Sequence, residues 1–326
     1  YPSALEIYDQ RLVVAATPSD PRTLWFSAIG AFEEFEPGVD ADSSFAYAIG
    51  GGKSVNRILW LVEGKKALHV GALGQEHSAK STDSNAVIGP TSTAFGTDGK
   101  TGSRPDVAPI SPDGWPILVS RDCRKVIEIR YSFQEDENQP RELSLPSDHL
   151  GADGFEELAW AAAPQRIAWA RRGNGELAAM IHDPAEEVLG WAPYSLAGGF
   201  VESMAITSDA SGSHDVLTLV VRRNVDGQTV RMIEEQAVTY GLLTGNEPIW
   251  TAVHFFAASV FSLGAPTAVF SLPHLAGETV EAWTDAGEFG ELVVAPGGDV
   301  TLPNDVTHAV IGLFDATHRA RTLNIQ

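Results

Sequence analysis

Cysteine is almost missing from this sequence. Cys123 is the single one among 326 residues, which excludes an intramolecular disulfide and a cysteine-based zinc site. It stands in SRDCRKVIEI beside Asp122, Arg124 and Lys125, where a turn residue is the simple reading and a reactive thiol the sharper one. One cysteine fits synthesis in a reducing compartment. Basic residues are scarce too. Lysine and arginine total 22 against 43 aspartates and glutamates, a formal net charge of −21. They gather nowhere beyond RDCRK and ARR. Tight nucleic-acid binding depends on cations that neutralise phosphates and release counterions, so that class is excluded. Two readings of the acidity stay open: a soluble surface, or a surface that does not hold on to DNA passing by.

An uninterrupted membrane span is also lacking. Residues 248–277 contain no Asp, Glu, Lys or Arg, but Pro248, Gly264, Pro266 and Pro273 break them and Ser and Thr recur inside. A spanning helix needs about 20 mainly apolar residues, so the expectation is buried short strands and no transmembrane segment. The chain opens YPSALEIYDQ, without initiator methionine, basic leader or small-residue cleavage site, and reads as a processed chain or a fragment.

Catalytic signatures fail in turn. QRIAWARRGNGELAAMI places Gly173, Gly175 and Ala178 in a G-x-G-x-x-A spacing. A dinucleotide fold needs those glycines to open a helix, with an acid about 20 residues further on. Here Pro184 comes too soon and APYSLAGG holds no acid, so the segment reads as a hairpin turn. In YAIGGGKS, Gly52, Lys53 and Ser54 match the end of a phosphate loop, but Tyr47 occupies the place of its first glycine. HLGADGFEEL puts His149 and Gly151 where a calcium loop needs oxygen donors. SPDGW resembles the aspartate boxes of sialidase propellers without their spacing. His308 and His318 suit no metal motif, and neither H-E-x-x-H nor G-x-S-x-G occurs. The sequence therefore selects no catalytic, cofactor-binding or metal-binding residue, and the expectation is a protein that is not an enzyme.

What is present is turn-rich and alternating. The 31 glycines and 19 prolines are spread along a chain that is 44% hydrophobic. Two apolar alternating strands flank a polar turn in each of five segments, with turns at Pro18–Pro21, Glu63–Lys66, Asp122–Arg124, Gly173–Gly175 and Asn224–Gly227. EELAWAAA, EVLGWAPYSL and VESMAITSD supply further strands between them. Recurrence every ~40–50 residues with four strands per unit is the sequence form of propeller blades, although a long β-sandwich imitates it. Residues 74–104, poor in large apolar groups, read as a long loop, and QEDENQPRE (134–142) as an acidic loop. The spacing tightens after residue 248. The fold class expected is all-β, with β-propeller-like blades over 1–248 and a small β-rich C-terminal domain over 249–326.

Several of these stretches, in order, resemble one family. YPSALEIYDQRLVVAATPSDPRTLWFSAIGAFEEF carries RL-x-x-A-x-T-P and P-x-T-x-W-x-S patterns. YSFQEDENQPRELSLPSDHL, ELAWAAAPQRIAWARRGNGEL, VVRRNVDGQTVRMIEE and LPHLAGETVEAWTD with GGDVTLPNDVTHAVIGL continue the series. Together they resemble the tail nozzle (tail tubular protein B-like, or tail stabilisation) proteins of short-tailed bacteriophages. The resemblance implies a β-propeller bearing a small distal β domain, assembled as a six-fold homo-oligomeric ring in the virion tail after synthesis in the host cytoplasm. Its implied partners are adaptor and fibre proteins of the tail, with DNA passing through transiently during ejection. Family members are much longer, which implies an N-terminal part before Tyr1 and an incomplete C-terminal domain. The family carries over no catalytic residue and no cofactor. The alternative is a propeller-type tail protein that binds or cleaves host glycans. Glu135, Asp136 and Glu137 are the candidate ring or lumen residues: either a solvated loop, or six copies crowding like charges in a pH- and cation-sensitive ring.

Overall fold

The computed structural model describes residues 1–50, 56–83, 86–135, 137–237 and 255–314. Strands account for 57% of the described residues, and the helical pieces among them are short 3-10 turns such as Pro112–Gly114 and Pro273–Leu275. The protein is all-β. Its chain divides into two compact units. The first comprises Tyr1–Ala162, Arg166–Gly173 and Ala178–Pro193; the second comprises Ala163–Gln165, Asn174–Leu177 and Tyr194–Gln326. The expected boundary between residues 248 and 249 lies outside the described residues.

In the first unit the chain runs through consecutive up-and-down antiparallel sheets. Sheet one is β1 (Ala4–Tyr8), β2 (Arg11–Ala15), β3 (Thr23–Phe26) and β4 (Phe45–Ala48). Sheet two is β5 (Ile58–Glu63), β6 (Leu68–Ala72), β7 (Glu76–Ser81) and β8 (Thr93–Gly99). Sheet three has three strands, β9 (Ile117–Val119), β10 (Val126–Ser132) and β11 (Glu137–Glu142). Sheet four is β12 (Phe155–Ala161), β13 (Ile167–Arg172), β14 (Leu177–Asp183) and β15 (Val188–Tyr194). These meanders are propeller-like blades, and the expected hairpin turns separate β2 from β3, β5 from β6, β9 from β10 and β13 from β14.

Period-two alternation explains the packing. Val13, Leu24 and Phe26 from sheet one meet Ile58, Leu68 and Val70 from sheet two, all fully buried. Each such side chain contributes about 1.5–3 kcal/mol of burial. Phe26 stacks on Phe45 with ring centroids 4.3 Å apart, and Tyr47, in the place of a phosphate-loop glycine, stacks on Phe95 at 3.5 Å. Gly52, Lys53 and Ser54 lie outside the described residues. A second core joins sheets three and four through Ile117, Leu143, Phe155 and Met180. Arg11 is buried without a carboxylate and donates instead to the carbonyls of Ser27 (2.6 Å), Ala41 (2.7 Å), Ser43 (2.8 Å) and Ile88 (3.1 Å). One guanidinium thereby holds the long β3–β4 connection against the loop before β8.

In the second unit β16 (Gly199–Ser208), β17 (Asp215–Val225) and β18 (Gln228–Glu235) form a three-stranded meander. Its tight turn is Asp226–Gly227, since Val225 pairs with Gln228. The remaining sheet has the order β19-β22-β20-β21, built from β19 (Phe256–Ser271), β20 (Thr279–Thr284), β21 (Gly287–Val293) and β22 (Asp299–Leu313). Leu272, Leu275, Ala282, Val294 and Ile311 form its core.

Three expectations are corrected. Residues 74–104 are not one loop: β7 and β8 lie there, built on buried polar side chains that hydropathy does not register. The acidic stretch 134–142 is a loop only at its start, because β11 pairs with β10 from Glu137 to Glu142. Pro140 is tolerated there because β11 is the edge strand. In place of buried short strands, residues 256–271 form one 16-residue strand whose buried side chain is Phe270 alone. It is an edge strand with one neighbour, with half of its side chains exposed and others, such as Phe261 and Leu263, packed in part against the core; residues 248–254 lie outside the described residues.

Candidate functional site

The acidic candidates sit at the tip of the β10–β11 hairpin. Ser132 pairs with Glu137, so the chain reverses between them. Glu135 and Glu137 are both exposed, and Glu137 accepts a hydrogen bond from Gln139 Nε2 at 2.8 Å. Asp136 lies outside the described residues. Phe133, 86% exposed, shares the tip, an apolar side chain beside carboxylates.

Other sequence motifs resolve into turns. Gly175 has φ +82°, and the ring of Phe200 packs where its side chain would be, 2.3 Å from an ideal Cβ. The G-x-G-x-x-A glycine thus serves a reversal and a ring contact. His149 and Gly151 belong to the 3-10 stretch Leu145–Asp153. Cys123 turns the β9–β10 hairpin at φ +67°, with Arg104 Nη1 donating to its Sγ. Asp113 of SPDGW pairs with Arg166. His308 hydrogen-bonds Thr307 Oγ1 at 2.9 Å; His318 lies outside the described residues. Among the described residues no group of three or more His, Cys, Asp or Glu side chains is arranged to hold a metal, and no helix is long and apolar enough to cross a membrane.

The groups that sequence reasoning missed lie in the buried faces of sheet two. There β6 and most of β7 are covered on both faces. One face carries Trp60, which packs with Leu118, Ile127 and Ile129 of sheet three; the bare backbone of Gly71 makes room for its indole. Beside this apolar patch, Asp98 accepts hydrogen bonds from Ser78 Oγ (2.8 Å) and from Asn138 Nδ2 of β11 (3.0 Å). His69 Nδ1 lies 3.4 Å from the other Asp98 oxygen. Asn138, three residues beyond Glu135 in the acidic stretch, thereby pins sheet three to sheet two. A second pin joins sheets three and four, where His182 Nε2 of β14 meets Glu128 Oε1 of β10 at 2.9 Å, both side chains buried.

Two neighbours on β7 are poised by their surroundings. Burial pushes the Glu76 carboxyl up to about 7, against hydrogen bonds from Thr101, Gly102 and Ser103 that favour its ionised form. Burial also lowers His77, partly offset by the charge of Asp98. Both effects are desolvation disfavouring the charged form. The cluster's hydrogen bonds fix sheet two against sheet three. The pairing of His and Glu with small residues in LHVGALGQEHSAK was the available signal, hidden because these side chains occupy positions where apolar ones are expected.

Comparison with known proteins leaves the family open. No family model matches the sequence, and no curated protein matches it. Solved structures with related shapes include a proposed 6-phosphogluconolactonase from Bacteroides fragilis, 13% identical over 72% of this chain and 70% of that one, with a TM-score of 0.44. The periplasmic gluconolactonase of Pseudomonas aeruginosa is 14% identical over 96% and 88%, with a TM-score of 0.37. An exo-beta-1,3-galactanase from Phanerochaete chrysosporium is 7% identical over 94% and 95%, at 0.33. All three scores fall below 0.5, and none of the three bears on activity.

Proposed function

We propose that this protein is a non-catalytic structural component of a short-tailed bacteriophage tail, forming with five further copies an acidic nozzle through which DNA leaves. The observation that carries this reading is the fate of the basic side chains. Arg11, Arg172 and Arg223 are buried. Arg104, Lys125, Arg166, Arg171, Arg222 and Arg231 are each held in ion pairs. With these basic groups buried or paired, the chain's excess of 43 acids over 22 bases disfavours holding phosphates and favours sliding over sticking. Blade-like sheets support the same role, because their meanders expose only short edges.

The test is location. Antibodies against the chain should decorate the tail tip of virions from the phage that encodes it, and the chain should be found in purified particles. Its absence from particles, or hydrolysis of capsule or lipopolysaccharide by the purified chain, would overturn the reading.

A further inference from the structure

At the hairpin end of the β16–β17–β18 sheet lies a recess of about 220 Å³, below the roughly 300 Å³ at which drug-sized pockets begin. It has room for one sugar-sized ring. Gly198 and Gly199 form its bare floor, and Phe200, Arg222, Asn224 and Thr229 stand around it. Strand register explains the grouping. Phe200 pairs with Arg222, which pairs with Arg231, and two residues along Asn224 pairs with Thr229; directly opposed residues share a face. No acidic residue lines the recess, on a chain with a net charge of −21.

The charge of this face is set by a bulge. The register slips between Val201 and Ser203, and the extra residue, Glu202, reaches both arginines. It accepts from Arg231 Nε at 2.6 Å and Nη2 at 3.2 Å, and lies 3.3 Å from Arg222 Nε. Two guanidiniums thus share one carboxylate, leaving one positive charge uncompensated. The Arg222 guanidinium lies over the Phe200 ring, 4.5 Å from its centroid, and that ring rests on Gly175. Phe200 therefore fixes the plane of the guanidinium as a cation–π partner. Among the described residues the terminal nitrogens of Arg222, the Asn224 amide and the Thr229 hydroxyl carry no internal hydrogen bond. Arg223 also lines the recess, but its guanidinium is held by Glu234 at 2.5 and 2.9 Å and by the carbonyl of Ala197.

We propose that this recess binds a monosaccharide-sized anion, its carboxylate or phosphate group against the outer edge of Arg222 and its hydroxyls against Asn224 and Thr229. A planar guanidinium fork matches either oxyanion, and the amide and hydroxyl can both donate to and accept from sugar hydroxyls. The site is small and open, so affinity on the order of 1 mM is expected.

Calorimetric titration of the purified chain with glucuronate, glucose 6-phosphate and glucose tests this. Binding of either anion with no binding of glucose supports the site, and which anion binds names the source of the oxyanion. Arg222→Gln should weaken binding about tenfold, the loss of one charge-assisted hydrogen bond. Glu202→Gln should tighten it by freeing both guanidiniums, whereas Glu186→Gln, an equal change of charge in the other unit, should leave it unchanged. Arg222 is on the surface, so its loss spares the fold, and amide NMR shifts on titration should cluster at 198–200 and 222–229. Failure of both anions to bind, equal binding of glucose, or affinity unchanged in Arg222→Gln would overturn the proposal.

Discussion

Glu76 and His77 are adjacent on β7 yet respond to pH in opposite senses. The Glu76 carboxyl titrates near 7 when folded and near its ordinary 4.5 when unfolded. Between those values the folded state holds a proton that the unfolded state has lost, so stability falls as pH rises through the window and levels off above it. His77 is lowered by burial, so its penalty appears instead as pH falls below 6.5. Glu76→Gln should therefore raise stability at pH 8 by roughly 3 kcal/mol, since each tenfold change in proton affinity is worth about 1.4 kcal/mol, and change little at pH 4.5. Urea melts at the two pH values check this, and an equal gain at both would show that the carboxyl does not titrate as described. None of this was legible beforehand. Glutamate and histidine read as surface residues until the two flanking sheets are known to bury them.

At the scale of single elements, hairpins were readable wherever both strands buried apolar side chains on one face. RLVVA with TLWF, and ILWLVE with LHVGA, alternate around turn residues and form the expected pairs. β7 and β8 were not readable, because Glu76, Ser78 and Asp98 are polar side chains that the interior holds through Ser103 and Asn138 rather than excludes. β11 was masked by its acids and by Pro140, and β19 by being an edge with little to bury. The candidate acidic site was legible as a hairpin tip only in part, since its anchor is the polar Asn138. Turn chemistry gives the sharper test. Gly175→Ala combines φ +82° with a Cβ inside the Phe200 ring, and should cost about 1–3 kcal/mol. Gly190→Ala, on β15 with open space around its Cα, should be neutral or slightly stabilising. Thermal melts of the two variants separate strain from a generic intolerance of alanine; equal losses would remove the Phe200 contact as the cause.

For the whole molecule, charge is the property that matters to the proposed role. Substituting Glu135→Gln, Asp136→Asn and Glu137→Gln together removes three charges from one hairpin tip. In a six-fold ring with those tips inward, eighteen carboxylates become neutral, and assembly at low salt should strengthen while its salt dependence shrinks. Sedimentation at two ionic strengths reads both effects. If neither moves, the tip faces solvent and the acidic excess acts elsewhere on the surface. The isolated chain should also pass through a DNA column at low salt, where a cation-rich protein would be retained.

The pins through Asn138 and through His182 carry a calorimetric consequence. Exposing apolar surface raises the heat capacity by about 0.45 cal/K/mol per Å², whereas exposing polar surface lowers it by about 0.26. Blades joined partly by buried carboxylate, imidazole and amide groups expose a mixed surface when they separate. Their heat-capacity increment per residue then falls below the usual ~12–15 cal/mol/K. A smaller increment flattens the curve of stability against temperature, so the sheets lose less of their grip on either side of the optimum than an all-apolar stack of equal size.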